Sequence, residues 1–394
     1  MIAMGIVKNR IQSIDVLRGL VMVIMALDHV RDFFSSFTDD PLNLQTTTPQ
    51  LYFTRWITHF CAPVFVFLSG SSIYLMSLRK TKAQLSAFLI KRGFWLIFIE
   101  MAVITLGWTF DPFYHLFILQ VIWVIGCSMV ILGILIYLPY TAIFALGLFI
   151  VLGHNLLDYP EAARHDQVGF WWDLLHHCKF SFYAIDSNHA AIIVYAIVPW
   201  LGIMLVGFGF GKLFSPGVDP VKRRKTLISI GLTLIALFIG IRMINLYGDA
   251  HPWTVQRNSL FSFLSFMNVN KYPPSLLYTC ATLGPAIILL ALLERANNKV
   301  TAFFNIYGRV PMFYYILHFY LIHIICVVLF FASGYSMKDA YGKDHLFGFR
   351  PNLFGYSLWV VYAIWLFVVL ALYPLCKKYN RYKSTHDHWW LSYL

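Results

Sequence analysis

The chain has 394 residues, 59% hydrophobic and only 12% charged, with 30 Lys and Arg against 18 Asp and Glu, a net charge of +12. Soluble domains carry about a quarter charged residues, so this composition argues against a soluble enzyme on an anchor and for a chain that lives in the bilayer. The basic excess sits in short loops between apolar runs rather than along one soluble face, which argues against a nucleic-acid partner.

Ten stretches are apolar and long enough to cross: 16–36, 56–78, 93–110, 115–137, 139–157, 189–211, 227–247, 274–293, 310–332 and 354–376. Segments 1–15, 79–92, 212–226, 294–309 and 377–394 hold 19 of the Lys and Arg, whereas the alternate loops hold 8 against 11 Asp and Glu. The positive-inside rule then places both termini in the cytoplasm. The predicted fold is an all-α polytopic bundle of about ten transmembrane helices. It forms one domain over 1–394: a cytoplasmic amino terminus (1–15), a membrane bundle (16–376) and a cytoplasmic tail (377–394). No cleavable signal peptide is expected, because Asp28 and His29 interrupt the first apolar run and no small-residue cleavage site follows.

The first segment carries ionisable groups at both ends: Asp15 and Arg18 before the run Leu20 to Leu27, then Asp28, His29, Arg31 and Asp32. Charges at such depth are costly and mark a working interior. Arg18 and His29 are eleven residues apart, which puts them on nearly one helix face about 16 Å apart along the axis. At 100° per residue Asp15, Arg18, His29 and Asp32 share a side, so Asp32 is the expected partner of His29, while Asp28 is turned away and pairs with Arg31. A buried neutral imidazole suits general-base work. His59, which opens the next segment on the same side, is the second candidate.

Further along, Glu100, Gln120 and Arg242 are intramembrane polar groups expected to touch one another as packing glue. Gly207-Phe208-Gly209-Phe210-Gly211 and Ser69-Gly70-Ser71-Ser72 read as close helix packing rather than as a phosphate loop or a nucleophile. The loops 37–55, 158–188, 248–273 and 333–353 are rich in polar and aromatic residues and are expected to bind a polar ligand. Asn268, Lys271, Tyr272 and Ser275 flank Pro273-Pro274 at the mouth of the eighth segment and are candidates for the acceptor. His318 and His323 are five apart, hence on different faces. Asp173 with His176 and His177, and the His386-Asp387-His388 tail, lack metal-site spacing, so no metal is expected, and the six scattered cysteines suggest no disulfide framework.

Arg18, ten residues and His29 match the R-x10-H pattern of membrane acyltransferases that O-acylate polysaccharides. Ser13-Ile14-Asp15-Val16-Leu17-Arg18-Gly19-Leu20 and Ala62-Pro63-Val64-Phe65-Val66-Phe67-Leu68-Ser69-Gly70 more specifically resemble the heparan-α-glucosaminide N-acetyltransferase catalytic-domain family. The Gly308 to His323 run, Pro199-Trp200-Leu201-Gly202 and the Trp389 to Leu394 ending resemble bacterial members, so the resemblance spans essentially the whole chain.

The resemblance implies transfer of an acetyl group from cytoplasmic acetyl-CoA, a co-substrate rather than a tightly bound cofactor, to an amine or hydroxyl of an extracytoplasmic glycan or amino sugar. It also implies a multi-pass protein of the bacterial inner membrane that can pair as a homodimer. One departure matters: the lysosomal enzyme uses a His in the loop after this first helix and has Asn where this chain has His29, and residues 37–55 contain no His. The catalytic role therefore falls to His29, supported by Asp32 and Asp28, with His59 second. CoA phosphates need cytoplasmic cations, for which Arg18, Arg79, Arg92 and Arg309 are the candidates. His318 is assigned to the CoA side and His323 to the acceptor side. A proton-coupled transporter of a polar small molecule or sugar is the rival reading, since it too needs intramembrane His, Asp and Arg; visible internal repeats would favour it.

Overall fold

The computed structural model describes residues 11–165, 168–342, 346–352 and 354–392. Most of the expected amino-terminal segment, residues 1–10, and the last two residues of the Trp389 to Leu394 ending lie outside them.

The described chain runs α1 (Gln12–Phe34), α2 (Pro49–Trp56), a 3-10 turn, α3 (Cys61–Ser77), α4 (Lys82–Ile99), a π turn (Glu100–Ile104), α5 (Thr105–Thr109), β1 (Leu116–Leu119), α6 (Val121–Leu135) and α7 (Tyr140–Gly153). It continues through α8 (Asp158–Ala163), α9 (Phe170–Trp172), a π turn (Asp173–His177), β2 (Phe182–Ala184), β3 (Ala190–Ile193), α10 (Ile197–Phe210) and α11 (Pro220–Ile244). The last part holds α12 (Ser259–Met267), α13 (Leu276–Leu293), α14 (Lys299–Arg309), α15 (Pro311–Ala332) and α16 (Leu358–Thr385).

Local chemistry starts these helices where polar residues meet apolar runs. Thr81 and Gln84 form a reciprocal capping box ahead of α4, Asp219 caps α11 just before Pro220, and Ser275 Oγ accepts from the Tyr278 N–H at the head of α13. All ten expected segments contain helix, but among the described residues seven helical stretches are both long and apolar enough to cross, beginning at Pro49, Tyr140, Ile197, Pro220, Leu276, Pro311 and Leu358. The other three are α1, with its six ionisable residues; the 82–109 stretch, which carries Lys91, Arg92 and Glu100; and α6, whose 15 residues rise only about 22 Å.

The all-α expectation needs one correction. Segments expected as helix from 115 and from 189 begin instead as strands, and β1, β3 and β2 form a small sheet in that order, β1 parallel and β2 antiparallel to β3. Short apolar runs such as Leu116-Phe117-Ile118-Leu119 fit strand or helix equally, and the pairing available in the fold decides between them.

Close crossings set the frame. A Cβ on Gly70 would overlap the Met204 carbonyl and one on Gly207 the Phe67 carbonyl, while Ser71 Oγ donates to the Gly207 carbonyl at 2.9 Å, so α3 and α10 touch backbone to backbone. The same holds for α1 and α14: a Cβ on Gly19 would strike the Phe304 carbonyl and one on Gly308 the Asp15 carbonyl. The expected packing role of the Gly207 to Gly211 and Ser69 to Ser72 runs is what the helices use.

Candidate active site

At the loop-bearing end of α1 a cavity of about 420 Å³ opens among Asp28, His29, Arg55, Trp108, Lys271 and Tyr272. His29 Nδ1 lies 2.7 Å from His318 Nε2, and His318 Nδ1 lies 3.1 Å from the Tyr314 carbonyl. A carbonyl can only accept, so His318 carries its proton on Nδ1 and, as a neutral ring, presents a lone pair at Nε2. His29 must then donate from Nδ1, which leaves its Nε2 with a free lone pair. Nε2 has no hydrogen-bond partner among the described residues, and the ring is held by the edge of Trp108 at 5.2 Å and by Phe319 at 4.2 Å.

The charges around this imidazole pair among themselves. Asp28 forms an ion pair with Arg31 at 2.8 Å, as expected, and accepts a hydrogen bond from Arg55 at 2.9 Å. Asp32 lies 2.6 Å from Arg31. The expected Asp32–His29 pairing is thus corrected: three residues along a helix displace Asp32 by about 4.5 Å along the axis, and α15 brings His318 to Nδ1 instead. Helical-wheel reasoning from one helix cannot see a group delivered by another.

His59 is 1% exposed, neither of its ring nitrogens has a hydrogen-bond partner among the described residues, and its ring meets Tyr278 edge-on at 5.4 Å. It lines a second cavity of about 650 Å³ with Arg55, Asn268, Lys271 and Tyr272. Arg55, Lys271 and Tyr272 wall both cavities. Lys271 is buried, with its Nζ 4.9 Å from the Tyr272 ring and 5.9 Å from the Tyr195 ring. Of the acceptor candidates, Asn268, Lys271 and Tyr272 therefore sit on cavity walls. Ser275 lines neither cavity; its hydroxyl donates to Asp249 at 2.7 Å and caps α13. His323 lies 2.9 Å from the carbonyls of both Gly107 and Gly348 and stacks on Phe110.

At the other end of α1, Arg18 bonds Asp15 at 3.0 Å, the Gly308 carbonyl at 3.2 Å and Ser72 Oγ at 3.2 Å. Three of the resembling runs, around Arg18, Ser69 and Gly308, thus meet at one guanidinium. Arg18 does not line the cavity that holds His29. Arg309 follows Gly308 in the same corner, Arg79 is exposed just past α3, and Arg92 is half-buried on α4. Of the expected Glu100–Gln120–Arg242 contacts, Glu100 does meet the Gln120 backbone, but Arg242 lies elsewhere. Glu100 accepts from the Trp123 N–H at 3.1 Å at the head of α6, where a helix N-terminus favours an anion, while Arg242 donates to the carbonyls of His251, Ser265, Phe266 and Asn268.

In the 158–188 region Asp173 pairs with His177 at 2.9 Å and Tyr183 at 2.9 Å. Burial pushes its pKa up, but hydrogen bonds from His177, Ser181 and Tyr183 outweigh it and hold the carboxyl below the usual carboxylate range. Sequence reasoning missed Arg55 and Trp108 as cavity walls. Arg55 had a signal, being the lone cation of the 37–55 loop one helix away from Asp28; Trp108 had none that set it apart from other membrane tryptophans.

A helical membrane bundle with an imidazole pair buried between α1 and α15, beneath a cavity walled by polar loops, is the class of protein that these features define. Within that class the chain belongs to the heparan-alpha-glucosaminide N-acetyltransferase catalytic family, whose profile matches residues 10–247. This is a family of membrane acyltransferases. No curated protein matches the chain. The match takes in Arg18, His29, Arg55 and His59 but stops short of α15, so the group that orients His29 comes from beyond it.

Proposed function

We propose that the protein is a transmembrane acetyltransferase that uses acetyl-CoA bound on its cytoplasmic face and an amine or hydroxyl of a glycan or amino sugar entering from the loop-rich face. The observation that carries this reading is the free Nε2 of His29 on a cavity wall, its tautomer set by His318. In direct transfer His29 Nε2 takes the proton of the acceptor as its nitrogen or oxygen attacks the thioester carbonyl; the C–S bond breaks and the proton passes to the departing thiolate, giving CoA thiol. In the two-step route Nε2 itself attacks the thioester carbonyl, the C–S bond breaks and CoA thiolate leaves; the acceptor then attacks the acetyl-imidazole, its C–N bond breaks to restore His29, and the acceptor's proton goes to the thiolate. Both routes need the same lone pair.

Supporting roles follow from place. Arg18, Arg79, Arg92 and Arg309 supply cations for the CoA phosphates at the opposite end of α1, as the basic loops there favour. Asn268, Lys271 and Tyr272, with Arg55, receive the acceptor, and His59 faces it from the second cavity. Asp28 holds Arg31 and Arg55 in place, and Asp32 shares Arg31. We assign the protein to a bacterial inner membrane with both termini cytoplasmic, where a homodimer fits the family resemblance.

Purified protein supplied with radiolabelled acetyl-CoA and glucosamine tests the reading. Acetyl transfer or slow thioester hydrolysis is expected, with His29→Ala reducing it about 10²- to 10⁴-fold and His115→Ala, at an exposed loop position, leaving it intact. Activity that survives in His29→Ala, or sugar uptake into vesicles without acetyl transfer, would overturn it.

A further inference from the structure

His154, Asp158 and Glu161 follow one another at spacings of four and three residues on a continuous helical stretch, which puts them on one face. The π turn over 173–177 brings His176 against that face. One ligand atom from each of Asp158, Glu161 and His176 lies within 4.8 Å of the others, and His154 Nδ1 lies 3.1 Å from His176 Nε2. His154, Glu161 and His176 are all buried, at 6%, 6% and 1% exposure.

Charge is the second argument. Glu161 accepts from His176 and from the Trp172 N–H, and Asp158 accepts from the Asn155 amide, but among the described residues neither carboxylate is ion-paired with a Lys or Arg. Two carboxylates gathered against buried imidazoles without a fixed cation carry a large desolvation cost, which a divalent ion offsets directly. The donor set of imidazole nitrogen and carboxylate oxygen suits Zn²⁺, whose bonds of about 2.0–2.2 Å place tetrahedral ligand atoms about 3.4 Å apart. The three ligand atoms of Asp158, Glu161 and His176 lie within 4.8 Å of one another, while His154 holds the His176 ring from its other side.

We infer that Asp158, Glu161 and His176 form a divalent-cation site, with Zn²⁺ the best-suited ion and water completing its coordination, that clamps the 158–188 region to the end of α7. The consequence reaches the cavities: the clamped turn leads directly into Phe180, which lines both of them. The ion is structural in this reading and touches no reacting atom.

The test uses the full chain in detergent, stripped with chelator, dialysed against ZnCl2 and then freed of excess metal. Elemental analysis is expected to find about one zinc per chain, falling at least tenfold in Glu161→Gln and unchanged in a His386→Ala/His388→Ala double variant of the tail. Chelator is expected to lower the melting temperature of the native chain by several degrees and to leave that of Glu161→Gln unmoved. Should Glu161→Gln fold poorly, Asp158→Asn carries the same comparison, and Co²⁺ loading of the native chain gives an absorption band that Asp158→Asn weakens. Zinc retained equally by the Glu161 or Asp158 variant, zinc lost with the tail histidines instead, or a native chain that binds none and ignores chelator would overturn the site, leaving a self-sufficient His176–Glu161 pair.

Discussion

In the proposed reaction His29 can act as base or nucleophile only while its single proton sits on Nδ1, and the 2.7 Å contact to His318 Nε2 is what keeps it there. Replacing His318 by Gln, whose amide can flip and offer either a donor or an acceptor, is expected to lower kcat by about tenfold to a hundredfold with little change in KM, because a misplaced reacting group costs of that order. His318→Asn, shorter still, should fall further; an equal loss in KM for both would mean that His318 only shapes the CoA pocket. Within the Arg31–Asp28–Arg55 triad, Asp28 answers to stability. Asp28→Asn leaves two buried guanidinium groups without their shared carboxylate and is expected to cost about 3–5 kcal/mol, read as a drop in chemical-denaturation midpoint. Asp28→Asn combined with Arg55→Met should recover part of that loss in a double-mutant cycle. His29 and His59 were recognisable from sequence because an ionisable residue in an apolar run stands out on its own. The partner of His29 was not, since it comes from 289 positions away and periodicity within one helix carries no information about which other helix crosses it.

At the level of elements, the frame rests on close glycine crossings, and the α1–α14 crossing connects most directly to the site. Gly19 and Gly308 allow α1 and α14 to approach until Arg18 reaches the Gly308 carbonyl. Gly19→Val would insert methyl groups where backbone already sits, and overpacking of this kind costs about 1–3 kcal/mol or more. The expected result is loss of monodisperse protein on size exclusion, whereas Gly153→Ala, where the added methyl meets open space, should behave as the native chain. The long apolar helices were legible because about 20 apolar residues admit few other structures in a bilayer. The sheet was not: β1 and β3 lie on apolar runs that merge with the helices behind them, and the choice between strand and helix is made by partners distant in sequence. Glu100 shows the same limit, since its role at the head of α6 depends on where the π turn aims it.

Across the whole molecule the two ends of α1 hold different chemistry. One end gathers Arg18 with the Gly308 and Ser72 contacts; the other holds His29, the cavity and the loops with their Trp, Tyr and Lys271. Composition and loop charge made this polarity legible from sequence, because the bilayer sorts charge by side, whereas the convergence of Arg55, Trp108 and Tyr272 on His29 depends on packing. If the protein moves an acetyl group across the membrane, donor and acceptor act from opposite faces. Proteoliposomes sorted for a single orientation, given labelled acetyl-CoA only on the face bearing the basic loops and glucosamine only on the other, measure this directly. The account predicts acetylglucosamine appearing on the acceptor side, at a rate abolished by His29→Ala; product formed only when donor and acceptor share one face, or formed equally by His29→Ala, would contradict it.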